Sequence, residues 1–322
     1  MAGDVFLANG PEFDRIRAIA RALGPSASDI GDDCALISIG GETLAISVDL
    51  SVEHVHFRRE WLTMRDIGWR AASGALSDLA AVGADPIGIL TAIGVPPDSP
   101  ADALRDLALG CGDAAVAAGG HVLGGDLSAS NQWTIDVTVL GRAPHPIRRS
   151  GAQSGDGIYV TGWLGGSAAA LSLLLSGEPL PDPVRARFAH PIPRVSAGRW
   201  LAMHGAHAMI DLSDGIAGDA GHLAAASGVA IRLDLGLLPL ESGVAGVAQS
   251  LGEPAPLFAA RGGEDYELLV AMPSDFTLDD ALEFQSVTGL PLTRIGEVVS
   301  GHDVHLTHDG SRVDLVGYDH FR

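Results

Sequence analysis

The residues best suited to chemistry are aspartates that stand beside glycine or at the ends of apolar runs. Gly31-Asp32-Asp33 precedes the apolar residues 34–39, Ser47-Val48-Asp49 closes an alternating run, and Ser77-Asp78-Leu79 sits late in an Ala-rich stretch. Gly124-Gly125-Asp126 and Asp211-Leu212-Ser213-Asp214-Gly215 each follow a short apolar run. Taken singly, each reads as a turn residue or a helix cap. Taken together, carboxylates at strand ends can converge on one cleft from several elements. An oxygen-only donor set suits Mg²⁺ or a similar hard cation rather than zinc. The stretch 211–219 is not an EF-hand loop, because its glycine and glutamate stand at the wrong positions. His54-Val55-His56 lacks the third ligand that a zinc site would need.

Composition narrows the chemistry further. Against 40 Asp plus Glu stand 20 basic residues, all of them arginine, for a net charge of −20 over 322 residues. The absence of lysine excludes a Walker A P-loop, a Schiff base, the strand lysine of a protein kinase and a lysine general base. The acidity argues against a nucleic-acid groove. Cys34 and Cys111 are too few for a disulfide scaffold or a cysteine zinc site, and a reducing cytosol is the expected compartment. Met1-Ala2-Gly3-Asp4 opens no basic-then-apolar leader, and no apolar run reaches membrane-spanning length, so a soluble cytoplasmic protein without a membrane partner is predicted.

The elements that must position these aspartates alternate along the chain. Helical spacing of Phe13, Ile16, Ile19, Ala20 and Leu23 predicts a helix ending near Gly24-Pro25. Strands are predicted at 34–39 and 43–50, the latter with Leu44, Ile46, Val48 and Leu50 on one face and Thr43, Ala45, Ser47 and Asp49 on the other. A helix over 63–82, a strand at 87–94, a helix at 101–118, a short strand at 121–124 and a strand at 132–140 complete the first half. Residues 142–156, with prolines, arginines and Ser-Gly pairs, have the composition of a connection between domains. In the second half, strands are predicted at 157–161, 207–211, 230–234, 266–272, 293–298 and 303–307, with helices at 167–175, 194–203 and 217–227. The turn Thr161-Gly162-Trp163-Leu164-Gly165-Gly166 before a helix could offer free N–H groups to an anion. To this point the residues indicate two domains, hard cations and phosphate, and spacing does not select a reaction.

The same segments, in order, resemble the thiamine-monophosphate kinase family, within the aminoimidazole ribonucleotide synthetase superfamily. The resemblance is carried by residues 30–36, by Ser77 to Pro86, by Leu123-Gly124-Gly125-Asp126, Arg149-Ser150-Gly151-Ala152 and Ile210 to Gly215, and by Gly262-Gly263-Glu264-Asp265-Tyr266-Glu267-Leu268 and Gly317-Tyr318-Asp319-His320-Phe321. It implies an N-terminal α/β domain over 1–145 that pairs sheets across a homodimer, and a C-terminal α+β domain over 146–322. It implies ATP and several Mg²⁺ ions, with thiamine monophosphate phosphorylated directly to thiamine diphosphate and no catalytic nucleophile. By the same resemblance, Asp33, Asp49, Asp78, Asp126, Asp211 and Asp214 would bind Mg²⁺, with Ser47 and the backbone of Val48 as further ligands. Arg149, Ser213 and the backbone of Gly125 would meet ATP, and His56 and Glu264 the thiamine substrate. Six aspartates, ATP at about −4 and a phosphate monoester near −2 sum to roughly −12, which only several divalent cations can hold together. The chain departs from the family at Val48 and Leu127, where threonine is usual, and at Leu315, which by the resemblance would stand at the substrate where a family aromatic can stack on its ring. Selenophosphate synthetase-like and hydrogenase-maturation relatives fit less well, because the cysteine and lysine of the first and the C-terminal cysteine of the second are absent.

Overall fold

The structure, a computed structural model, describes residues 5–27 and 30–321. Met1 to Asp4, read above for a leader, lie outside them. Helix α1 (Pro11–Leu23) opens the chain, and β1 (Ala35–Ile39) turns through Gly40-Gly41, both with positive φ, into β2 (Glu42–Val52). Two consecutive left-handed residues are what a tight hairpin demands, and glycine supplies them without strain. Helix α2 (Met64–Ala81), β3 (Asp85–Val95), α3 (Ala101–Ala117), β4 (His121–Ala129) and β5 (Thr134–Arg142) follow. The five strands form one sheet in the order β1-β2-β5-β3-β4, with β3 and β4 parallel and the other pairs antiparallel.

Strand β2 alternates as predicted, and its polar face is the one turned inward. Ala45 is fully buried, whereas Val48 and Leu50 are 60% and 47% exposed. Ser47 and Asp49 therefore look toward α2. Strand β4 is longer than predicted and carries Asp126 within it, every residue exposed. The register aligns Leu50, Asp136, Ala92 and Asp126 in one row across the sheet, which sets Asp126 on the outward face.

The second half contains β6 (Gly157–Thr161), α4 (Gly166–Ser176), α5 (Asp182–Ala189), α6 (Val195–Met203), β7 (Ala208–Asp211), α7 (Ile216–Ser227) and β8 (Ala230–Asp234). It continues with α8 (Val244–Ser250), α9 (Ala255–Ala260), β9 (Leu268–Met272), α10 (Leu278–Thr288), β10 (Leu292–Val299), β11 (Val304–His308) and β12 (Ser311–Val313). These strands form a second sheet, β12-β11-β8-β10-β6-β9-β7. Helices α5, α8, α9 and α10 were not predicted. The first three are short, while α10 begins with a Thr277–Asp280 capping box that the sequence does display.

Helix α2 joins the halves. It starts at a Thr63–Asp66 capping box, packs against α3, β2 and β5 on one side, and meets α5, α6 and β7 on the other. Glycines permit the approach. A Cβ on Gly68 would lie 2.0 Å from the Leu107 carbonyl oxygen, and one on Gly198 of α6 would lie 2.0 Å from that of Ala80. No helix among the described residues is long and apolar enough to cross a membrane. Gly68→Ala should lower stability by about 1–3 kcal/mol through overpacking. Gly112→Ala, where the new methyl meets only a Val122 methyl at 3.7 Å, should be neutral or stabilising. Urea unfolding of both variants checks this, and equal midpoints would contradict the packing account.

Candidate active site

The aspartates do converge, although from fewer places than the sequence suggested. Asp33 follows the turn before β1, Asp78 sits in the last turn of α2, and Asp211 ends β7. Their carboxylates offer oxygens all within 4.8 Å of one another. Among the described residues, no other set of three or more His, Cys, Asp or Glu side chains gathers so closely. The Arg149 Nη2 donates to Asp33 Oδ1 at 2.6 Å, and the Ser47 hydroxyl donates to Asp78 Oδ2 at 2.6 Å. Asp33 Oδ2 is buried without a hydrogen-bond partner. A buried, unsatisfied carboxylate oxygen facing two further carboxylates is a donor set for a hard cation.

Two cavities flank this trio. The larger, about 640 Å³, is lined by the polar residues Asp49, Asp78, Asp211, His56 and Glu264 and by the apolar residues Phe57, Trp61, Phe188, Leu171 and Leu175. The smaller, about 550 Å³, is lined by Asp32, Asp33, Ser47 and Arg149 together with Leu7, Phe13, Ile16 and Ile46. Both reach Val48, Ser213 and Asp214. Two apolar-walled compartments thus meet at an acidic centre, an arrangement able to bring two substrates to one transfer point.

The loop before β9 supplies the wall of the larger cavity. Glu264 and Tyr266 both adopt left-handed φ, 59° and 51°, at positions that glycine would occupy without cost. Main-chain bonds hold them there: Glu264 N–H donates to Ser213 O at 2.8 Å and Tyr266 N–H to Leu212 O at 2.9 Å. Arg70, only 5% exposed on α2, pairs with the Glu264 carboxylate, donates to the Phe188 carbonyl and lies over the Phe188 ring. Below, the fully buried Glu267 accepts two bonds from Arg194, at 2.8 and 2.6 Å, and one from Thr161 at 2.8 Å. The His56 Nδ1 accepts from Val52 N–H at 3.0 Å, which leaves Nε2 as its remaining polar atom. Burial, with His320 nearby, lowers the His56 pKa and favours the neutral ring.

Four sequence expectations find no support within one copy of the chain. Gly125 and Asp126 line neither cavity, because both belong to the edge strand β4 and Asp126 is on its outward row. A Cβ on Gly125 would lie 2.1 Å from the Thr91 carbonyl oxygen, so packing alone requires that glycine. Leu315 lines neither cavity either; it packs half-buried against the core, and Tyr318 is the tail aromatic at the larger cavity. The glycine turn at 161–166 offers no free anion site, since Asp265 accepts from Gly165 N–H at 2.7 Å and from Ser167 N–H at 3.4 Å. Arg70, Trp61, Tyr266, Tyr318 and Asp219 were missed in the sequence. Of these, Tyr266 and Tyr318 lie in motifs that carry the family resemblance, which is the one sequence signal they gave.

Crowding of like charge dominates the electrostatics. Burial, reinforced by Asp33, pushes the Asp211 carboxyl up to about 7, and burial with Glu12 nearby pushes Asp214 to about 6. Burial also raises Asp78 and Asp219, with Asp211 adding to the first and Asp214 to the second. Burial opposes charge on Arg149, but Asp33 and Asp211 outweigh it and strengthen its protonation. Because these folded-state carboxyls titrate above their unfolded values, the metal-free fold binds more protons than the unfolded chain between about pH 4 and 7, and loses stability as pH rises through that window. Thermal melts in EDTA should show that loss, Asp211→Asn should flatten it, and Mg²⁺ should restore stability at pH 7. A melting temperature that in EDTA is indifferent to both pH and the substitution would contradict the crowding.

Residues 31–143 match the family described as AIR synthase related protein, N-terminal domain, and residues 153–309 match its C-terminal domain. Thiamine-monophosphate kinase of Escherichia coli (strain K12) is 38% identical, with 96% of this chain and 95% of that protein covered. A solved structure described as AaThiL complexed with AMPPCP and TMP superposes with a TM-score of 0.87 at 32% identity, covering 96% of this chain and 97% of the other. Thiamine monophosphate kinase from Aquifex aeolicus superposes with a TM-score of 0.81 at 30% identity, over 93% and 97% of the two chains. With its aspartates gathered between two cavities on this two-domain frame, the chain belongs to the thiamine-monophosphate kinase family of AIR synthase related proteins.

Proposed function

We propose that this chain transfers the γ-phosphoryl group of ATP directly to thiamine monophosphate, giving ADP and thiamine diphosphate. The observation that carries the reading is the acidic trio shared between two cavities, each with enough apolar lining to take an organic group. ATP takes the smaller cavity, with Arg149 and Ser213 beside its phosphates. Thiamine monophosphate takes the larger, where Trp61, Phe57 and Tyr318 offer aromatic surface to a cationic ring and Glu264 and His56 stand nearby. Asp33, Asp49, Asp78, Asp211 and Asp214, with Ser47 and the Val48 carbonyl, would hold Mg²⁺, and the unsatisfied Asp33 oxygen supports this. Bound there, Mg²⁺ supplies the charge neutralisation that phosphoryl transfer between anions requires. The acceptor is a phosphate oxygen already ionised at neutral pH, so the residues need only position it. No general base is required, and a neutral His56 is compatible with that.

The outward face of the first sheet supports a homodimer. Val48, Leu50 and Leu90 are 60%, 47% and 44% exposed there, an apolar surface that nothing among the described residues of one copy covers. A second copy laid on that face would bring Asp126 and Gly125 toward a cleft they do not reach within one chain. The division into domains at 1–145 and 146–322 follows the two sheets, and two buried free cysteines suit the cytoplasm. The net charge of −20 disfavours nucleic acid as a partner.

Purified protein given ATP, Mg²⁺ and thiamine monophosphate should form ADP and thiamine diphosphate in equal amounts. Thiamine or aminoimidazole precursors should not substitute, and no thiamine diphosphate would overturn the assignment. Asp126→Asn should lower turnover by at least about 10² through lost charge compensation. Wild-type turnover in that variant would remove Asp126 from the site.

A further inference from the structure

The tail after β12 forms no helix or strand, yet Tyr318 and His320 from it line the larger cavity. The first turn of α1 holds it there. Gly10, the N-cap of α1, makes no side-chain cap bond. Instead, Glu12 N–H donates to Asp319 Oδ2 at 3.4 Å, across 307 positions of sequence, and Glu12 Oε2 accepts from His320 N–H at 3.2 Å. Asp319, 8% exposed, also accepts from Phe321 N–H at 2.8 Å, while the Arg15 guanidinium lies 3.9 Å over the Phe321 ring. A Cβ on residue 10 would come within 2.7 Å of Asp319 Oδ2, so glycine there makes room for the carboxylate. On its other side, the tail packs Gly317 against Gly218 of α7, and Tyr318 N–H donates to Asp214 O at 2.9 Å. Neither Glu12 nor Asp319 lines either of the two cavities described above.

We propose that Glu12 and Asp319 form a reciprocal cap between the two ends of the chain, and that they are positioning residues for the acceptor substrate, acting through Tyr318 and His320. The exchange has the logic of a capping box, each carboxylate taking a backbone N–H of the other's segment, with Asp319 also favoured by the positive end of α1. In an ordinary capping box both partners belong to one helix. Here one partner is the strap that walls the acceptor cavity, so the cap couples α1 to substrate binding. The proposal rests on the reading of the larger cavity as the thiamine monophosphate site.

The test compares Asp319→Ala, Glu12→Ala and Glu12→Gln with Thr277→Ala, which removes the cap of α10 far from either cavity. Hydrogen exchange at the Tyr318 and His320 amides should accelerate in both cap-deleting variants. The KM for thiamine monophosphate should rise at least about tenfold, while kcat and the KM for ATP stay within about twofold. Glu12→Gln, which keeps an acceptor oxygen, should recover most of the KM, and Thr277→Ala should leave it unchanged. Unaltered tail exchange or an unaltered acceptor KM in Asp319→Ala overturns the proposal, as does an equal rise in Thr277→Ala. Should the wild-type protein not turn over thiamine monophosphate, the functional reading fails separately and the exchange data alone decide the cap.

Discussion

Three carboxylates, two of them buried and one half-buried, whose oxygens lie within 4.8 Å of one another and which are opposed by the half-buried guanidinium of Arg149, set the terms for the whole molecule. At an effective dielectric of about 20, each such pair repels by roughly 3–4 kcal/mol. Arg149 offsets part of that for Asp33 and leaves Asp78 and Asp211 crowded. The metal-free protein answers by holding protons, as the raised Asp78 and Asp211 carboxyls indicate. The proposed divalent cations would answer it better, because they would neutralise the carboxylates and the incoming phosphates together. A chain without a single lysine has no alternative cation except arginine, and Arg149 is the one placed at the centre.

Bringing Asp33, Asp78 and Asp211 together takes both halves of the chain, and α2 is the element they share. Gly68 of α2 and Gly198 of α6 let α3 and α6 approach it to backbone contact, and α2 carries Arg70, Gly74, Ser77 and Asp78 toward the cleft. Across the cleft, the loop at 262–267 is held in an unfavourable backbone conformation by main-chain bonds to 212–213 and by the fully buried Glu267. Local strain at Glu264 and Tyr266 is therefore sustained by a network whose members come from β6, α5, α6 and β9. The same economy governs β2. Turning its polar face inward serves the carboxylates and leaves Val48 and Leu50 outside, where an apolar sheet face calls for a cover.

The fold was legible wherever periodicity was strong. Helices α1, α2, α3 and α7 and most strands stand where spacing placed them, and β2 shows its alternation residue for residue. Periodicity could not say which face of β2 is inside, since that depends on what the site needs to bury. It also missed α8 and α9, which are too short for a helical period to register. Within the site, Asp33, Asp78 and Asp211 could be read from their places at strand and helix ends. Arg70 could not, because its partner Glu264 is 194 residues away and an arginine in an Ala-rich helix looks solvated until the packing is known. Leu315 packs half-buried against the core, and Tyr318, just past the close approach of Gly317 to Gly218, is the tail aromatic at the larger cavity, which sequence spacing could not foresee.

The account stands or falls on cations at the carboxylate trio. Crystals grown with Mn²⁺ and a non-hydrolysable ATP analogue, measured at the manganese absorption edge, would locate them directly. The account predicts an anomalous peak within about 2.0–2.3 Å of oxygens from Asp33, Asp78 and Asp211 together, at the junction of the two cavities. Ordered nucleotide with no anomalous density at those three carboxylates would contradict it.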